Sequence, residues 1–147
     1  MSNLDLFRHD FVVSIKPEYA TRIIRGEKKV ELRRKFPYGT VTGARMYIYA
    51  SAPIQAIIGY AVIATVDRIP PEEIWDKYSS VSFISREDFF SYYADCDLGY
   101  ALVLGDVVGL GCPIKLDTLR DRLGFSPPQS FAYADDRLKE LVHRLQS

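Results

Sequence analysis

Histidine is almost missing from this chain: His9 and His143 are the only two, one near each end and both in its least constrained parts. A histidine general base, a Ser-His-Asp triad and a two-histidine metal site are therefore not expected, and no metal or cofactor is called for. Cysteine is as scarce. Cys96 and Cys112 form no C-x-x-C pair and are too few for a disulfide scaffold, so a reduced, cytoplasmic protein is expected. No apolar run approaches the roughly twenty residues of a membrane span. The start Met1-Ser2-Asn3-Leu4-Asp5 lacks the basic and apolar regions of a signal peptide, so neither feature is expected. The glycines between Gly105 and Gly111 are not followed by Lys-Ser/Thr; this segment is expected to be a β-turn connection and not a phosphate loop. There is no internal repeat, low-complexity tract or linker.

What is present is enough for one core. A length of 147 residues with 48% hydrophobic composition suits a single domain, expected over 11–147 behind an N-terminal extension at 1–10. Formal net charge is zero, which argues against long-track DNA binding, where many phosphates are neutralised together. The distribution is uneven. Between Lys16 and Lys35, eight Lys/Arg stand against three Glu, leaving the remainder of the chain acidic. Such polarity suits one anion-facing side, although a solvated basic helix face would produce it too.

The densest chemistry lies in Gly26-Glu27-Lys28-Lys29-Val30-Glu31-Leu32-Arg33. Gly26 supplies the positive-φ residue that commonly ends a helix, so Lys28 emerges close to the root of the next strand. Alternation along that strand sends Val30 and Leu32 to a core and puts Glu31 and Arg33 together on the other face. A guanidinium there can grip phosphate or carboxylate in a bidentate fork. On spacing alone, an i, i+2 Glu/Arg pair of this kind is more often a solvated surface pair.

Elsewhere the pattern predicts a strand over Phe11–Ile15 and a helix opened by Pro17, whose Tyr19, Ala20, Ile23 and Ile24 form an apolar stripe. Lys16 sits at the junction. Strands are predicted over Lys29–Arg34, Arg45–Ala50 and Ile57–Val66, the last with a bend at Gly59. Helices follow from Pro70-Pro71 and from the N-cap Ser85, their aromatics Trp75, Phe89, Phe90 and Tyr93 facing a core. Two further strands, Tyr100–Val107 and Leu110–Lys115, are expected to be joined by Gly109 and Gly111. Helices over Leu116–Leu123 and Asp135–Leu145 close the chain. The expected class is α+β: a twisted, partly closed, mostly antiparallel β-barrel with short inserted helices and a C-terminal helix.

The spacing G-x-K-x-x-E-x-R resembles the signature of the ASCH domain, a small barrel of the PUA-like superfamily. Further ordered blocks resemble its bacterial and archaeal single-domain subgroup: Ser14–Ala20, Tyr47–Pro53, Ile58-Gly59-Tyr60 and Pro127–Phe131. Coverage runs from about Phe11 to Tyr133. The resemblance implies a PUA-like barrel with Lys28, Glu31 and Arg33 at the mouth of a cleft, joined by Lys16, Tyr49, Ser51 and Ser130. On that basis Lys16, Lys28 and Arg33 would hold a phosphate or oxyanion, Tyr49 would stack on a base, and Glu31 would accept from a nucleobase amine. Each has a plainer use as well: Ser51 as a strand end, Tyr49 as core, Ser130 as a cap.

The first functional expectation is an RNA- or nucleotide-binding module acting in RNA metabolism, translation or transcription control, with an RNA or nucleoside ligand and no membrane partner. The alternative is a metal-independent hydrolase on the same cleft, a single-stranded ribonuclease or an acetylcytidine amidohydrolase. Lys28 and Glu31 would then be catalytic, with Tyr49 and Ser130 in secondary roles. The amidohydrolase subgroup carries a hydroxyl residue where this chain has Glu31, which counts against that version. A third option is a protein-interaction domain or homodimer built on the apolar helices around Trp75, Phe83 and Phe89.

Overall fold

The computed structural model describes residues 9–146 of the chain. Six strands, β1 (Phe11–Ile15), β2 (Val30–Arg33), β3 (Arg45–Ala50), β4 (Ala56–Ile69), β5 (Gly99–Lys115) and β6 (Phe131–Tyr133), form one sheet in the order β2-β5-β4-β3-β1-β6. β1 and β3 run parallel; the other neighbours are antiparallel. The sheet curls into a half-barrel. Among the described residues five helices accompany it: α1 (Pro17–Ile24), α2 (Pro71–Ser82), α3 (Arg86–Tyr92), α4 (Leu116–Leu123) and α5 (Asp136–Gln146). The expected α+β architecture is the one observed. None of the described helices is long and apolar enough to cross a membrane.

Strand alternation sorts the apolar residues into three cores. Phe11, Val13, Ile15, Met46 and Ile48 point into the barrel, where Ala20 and Ile23 of α1 fill it. Val12, Tyr47, Tyr49 and Ile57 point outward beneath Leu119 of α4 and Leu138, Leu141 and Val142 of α5. Val30, Leu32 and Ala101 pack against Ile74 of α2 and Phe89 and Tyr93 of α3. Ile23 is fully buried, and burying a side chain of that size contributes about 1.5–3 kcal/mol. The α2/α3 aromatics thus face a core, as their spacing predicts. Ser85 caps α3 by accepting from the Asp88 amide at 3.1 Å.

Three sequence expectations need correction. β5 is one strand of 17 residues where two were expected, and β4 reaches Ile69. The glycines bend these strands without breaking them: Gly59 and Gly109 are cross-strand partners, and the sheet shifts register there. Ile24 of α1 rests on this pair. A Cβ at Gly59 would lie 2.6 Å from Ile24 Cδ1 and would overlap the Val108 carbonyl. Gly59→Ala is accordingly expected to lower stability by about 3 kcal/mol through overpacking. An unchanged thermal midpoint would show that α1 can lift off the bend. β6, a three-residue strand, was not expected.

The third correction concerns His143, which is not at a loose end. Its Nε2 lies 2.6 Å from Arg45 Nη1 and 2.9 Å from the Tyr47 hydroxyl, fastening α5 to the sheet. At the other end, residues 1–8 of the expected extension lie outside the described residues. Asp10 is buried and integral: its carboxylate accepts from the Arg45 amide at 2.8 Å and pairs with Lys139 at 3.1 Å.

Candidate functional site

In the half-barrel, β2 forms one sheet edge and the β1/β6 pair the other. Among the described residues no backbone ladder joins them; Arg33 spans the gap. Its Nη2 donates to the Ser14 carbonyl of β1 at 2.9 Å and to Glu31 Oε2 at 2.8 Å, while Nη1 donates to Ser130 Oγ, just before β6, at 3.2 Å. The opposite edge is braced in turn: Ser14 Oγ donates to the Pro128 carbonyl at 2.6 Å, and the Ser14 amide donates to the Ser130 carbonyl at 3.0 Å. Alternation put this arginine on the barrel side, because its neighbour Leu32 belongs to the α2/α3 core.

Beside this junction opens a cleft of about 460 Å³. One wall is the β1–α1 corner with Ser14, Lys16 and Tyr19; the floor carries Lys28, Glu31 and Arg33; the far wall is α3 with Asp88, Ser91 and Tyr92. The floor is dry. Lys28 and Glu31 side chains are 3% and 7% exposed, and Arg33 is 11% exposed. Lys28 Nζ donates to the Ser82 carbonyl at 2.6 Å, stands 4.0 Å from Glu31 Oε1 and lies 5.2 Å from the centroid of the Tyr19 ring.

Burial lowers the Lys28 pKa from its ordinary value; Glu31 raises it and Arg33 lowers it. Burial raises that of Tyr19, with Glu18, Asp88 and Glu31 adding to the shift. For Tyr92 burial again raises the pKa, opposed by Arg33. Two buried cations thus face one buried carboxylate, leaving excess positive potential under an open cleft whose rims carry two neutral tyrosines.

The structure brings Lys16, Lys28, Glu31 and Arg33 together in this cleft and sets Ser130 on its Arg33 side. Two expected members stand elsewhere. Tyr49 points to the outer face of β3, is 2% exposed and packs 5.7 Å from the Phe125 ring, so it does not line the cleft. The cause is parity: Ile48 and Ala50 take the barrel face, which leaves Tyr47 and Tyr49 outside. Ser51 ends β3 with its amide on the Ile15 carbonyl at 3.0 Å and is not among the cleft-lining residues.

Sequence reasoning missed Tyr19 as a cleft residue, having assigned it to the α1 core stripe. It also missed Ser91 and Tyr92, because the approach of α3 to β2 is a tertiary event. Phe89 and Trp75, considered for a partner surface, are core neighbours 5.1 Å apart; Phe83 is 41% exposed. Among the described residues no group of three or more His, Cys, Asp or Glu could hold a metal ion.

Comparison with known proteins agrees with this architecture. A family profile described as a domain of unknown function, DUF365, matches residues 11–119. An "ASCH domain-containing ribonuclease" of Zymomonas mobilis is 33% identical over 127 residues, spanning 86% of this chain and 84% of the relative. The chain belongs to the ASCH family. The crystal structure of the Zymomonas mobilis ASCH protein superposes with a TM-score of 0.87 at 30% identity, covering 94% of this chain and 96% of that one. A serine-to-alanine variant of the same protein gives 0.88, covering 95% and 98%. In this member Lys28, Glu31 and Arg33 are the floor of a cleft, and Arg33 is the clasp of its half-barrel.

Proposed function

We propose that this ASCH protein acts on RNA in the cytoplasm, holding a ribonucleotide unit of a single strand in the cleft between α1, β2 and α3. The observation that carries this reading is the buried Lys28–Glu31–Arg33 set, two cations to one carboxylate, beneath a cleft rimmed by Tyr19 and Tyr92. A phosphate is drawn to the excess positive charge and to exposed Lys16, and a base finds an aromatic face on the rim. The stacking role expected of Tyr49 passes to these two tyrosines. The name of the Zymomonas mobilis relative supports RNA as the ligand.

A second reading, cleavage of the bound strand, is favoured by that same name. Without a metal, the 2′-hydroxyl loses a proton as it attacks phosphorus, and the departing 5′-oxygen gains one. Lys28, with its lowered pKa, is the candidate base, and Arg33 the candidate stabiliser of the charged phosphorus centre. Labelled single-stranded RNA incubated with stoichiometric protein in EDTA separates the readings: fragments establish cleavage, and retention of intact RNA establishes binding alone. Neither fragments nor retention would overturn both. Acetylcytidine is expected to remain uncleaved, since Glu31 is committed to Arg33 and no hydroxyl residue stands in its place.

Tyr92→Ala, on the exposed surface of α3, is expected to weaken RNA binding about tenfold, within the roughly 1–3 kcal/mol of a base–aromatic stack. Fluorescence anisotropy checks it. Wild-type affinity in the variant would remove Tyr92 from the site.

A further inference from the structure

A second concave site lies on the other side of the sheet, between α4 and α5. It has a volume of about 290 Å³, and its lining includes Arg122 from the last turn of α4 and Arg137 and Arg144 from α5, over Leu123 and Leu141, with Glu140 as its one carboxylate. Arg137 and Arg144 share a helix face, seven residues apart. Three guanidinium groups to one carboxylate form a local excess of positive charge that the sequence hides: from Leu116 onward five Lys/Arg stand against five Asp/Glu.

Two arginines of this groove, Arg122 and Arg137, are not spent on neighbouring carboxylates. Among the described residues, neither Arg122 nor Arg137 takes part in an ion pair, Glu140 of the same groove included. Arg137 Nη2 donates to the Arg122 carbonyl at 2.6 Å. That bond ties the guanidinium to the end of α4 while leaving its other N–H donors available, the pre-organised fork that suits phosphate oxygens.

We propose that the α4/α5 groove is a phosphate-binding site, and that its phosphate comes from an RNA strand also engaged at the cleft. The second half rests on the RNA reading above. Only Gly124–Ser130 separates α4 from β6, and Ser130 touches Arg33, so groove and cleft are joined by chain spanning at most roughly 25 Å. A single strand longer than a few nucleotides reaches both.

The test is an NMR titration of the whole isotope-labelled chain, following backbone amides of the groove (Arg122, Leu123, Arg137) and of the cleft (Lys28, Arg33, Tyr92) separately. One arm adds inorganic phosphate and the other a single-stranded RNA of about twenty nucleotides. The expected result is that RNA shifts both sets at concentrations where inorganic phosphate shifts neither. Arg122→Glu should then weaken RNA binding about tenfold and lower the slope of log K against log salt by about 1. Among the described residues Arg122 makes no side-chain bond, and a melting curve verifies that the variant folds. Arg137→Gln, which keeps a donor for the Arg122 carbonyl, should act in the same direction.

Groove shifts with inorganic phosphate alone would assign the site to a free phosphate and overturn the RNA half. Groove shifts with RNA and none at the cleft would overturn the cleft reading and the shared strand with it, leaving a groove that binds RNA phosphate alone. No groove shift in either arm, or an unchanged salt slope in Arg122→Glu, would overturn the proposal itself.

Discussion

Arg33→Ala is expected to lower the unfolding free energy by about 3–5 kcal/mol, the cost of leaving one member of a buried ion pair alone. Glu31, buried at 7% exposure, would lose the guanidinium 2.8 Å away, and Lys28 at 4.0 Å is too far to replace that hydrogen bond. The same change deletes the contacts to the Ser14 carbonyl and Ser130 Oγ, which are what hold β2 against the β1/β6 edge. Urea denaturation with a constant m-value would report the loss, and RNA binding should fail with it because the cleft floor opens. Arg33→Lys keeps the charge but cannot span three acceptors, so it should recover only part of the stability. A loss under about 1 kcal/mol in Arg33→Ala would mean that the edges are held by something other than this side chain.

Lys28→Met should behave in the opposite way. The ammonium is desolvated, and Met fills nearly the same volume without charge, so stability is expected to stay within about 1 kcal/mol of wild type, the lost bond to the Ser82 carbonyl offsetting the relieved burial. Affinity for RNA, by contrast, should fall at least about tenfold, because Arg33 alone is already balanced by Glu31. In the wild-type chain the pH dependence follows from the lowered Lys28 pKa. Between that value and the ordinary 10.5 the unfolded chain holds more protons on this group than the folded one. Lys28 therefore makes stability rise with pH through that window, and its desolvation cost is present in full below it. Binding moves the other way, weakening as Lys28 gives up its proton. Stability and affinity measured from neutral to alkaline pH would show the crossing trends in wild type and lose this contribution in Lys28→Met. Parallel trends would show that Lys28 does not face the ligand.

Much of this site was legible in the sequence because its core is local. Gly26, Lys28, Glu31 and Arg33 lie within eight residues, and strand parity alone puts Glu31 and Arg33 on one face with Val30 and Leu32 on the other. Lys16 was recoverable for the same reason, since Pro17 marks the helix start beside it. Tyr49 shows where local reasoning stops. Its strand was correctly placed, yet which face of β3 becomes the barrel interior is decided by the direction in which the sheet curls, and that is not encoded in six residues. The single long β5 was missed on similar grounds: Gly109 and Gly111 look like breaks until Gly59 is seen opposite Gly109 with Ile24 pressed on the pair.

By itself, then, the sequence determined the class of fold, the order of most elements and the chemistry of the β2 signature, because helix caps, turn residues and alternation act over a few residues. Only the tertiary structure decided that Arg33 clasps two distant sheet edges, that α3 supplies Ser91 and Tyr92 as a wall, and that three arginines otherwise cancelled in the charge count meet in one groove. Those facts depend on which surfaces the curled sheet brings face to face, a consequence of long-range packing that no short stretch of chain contains.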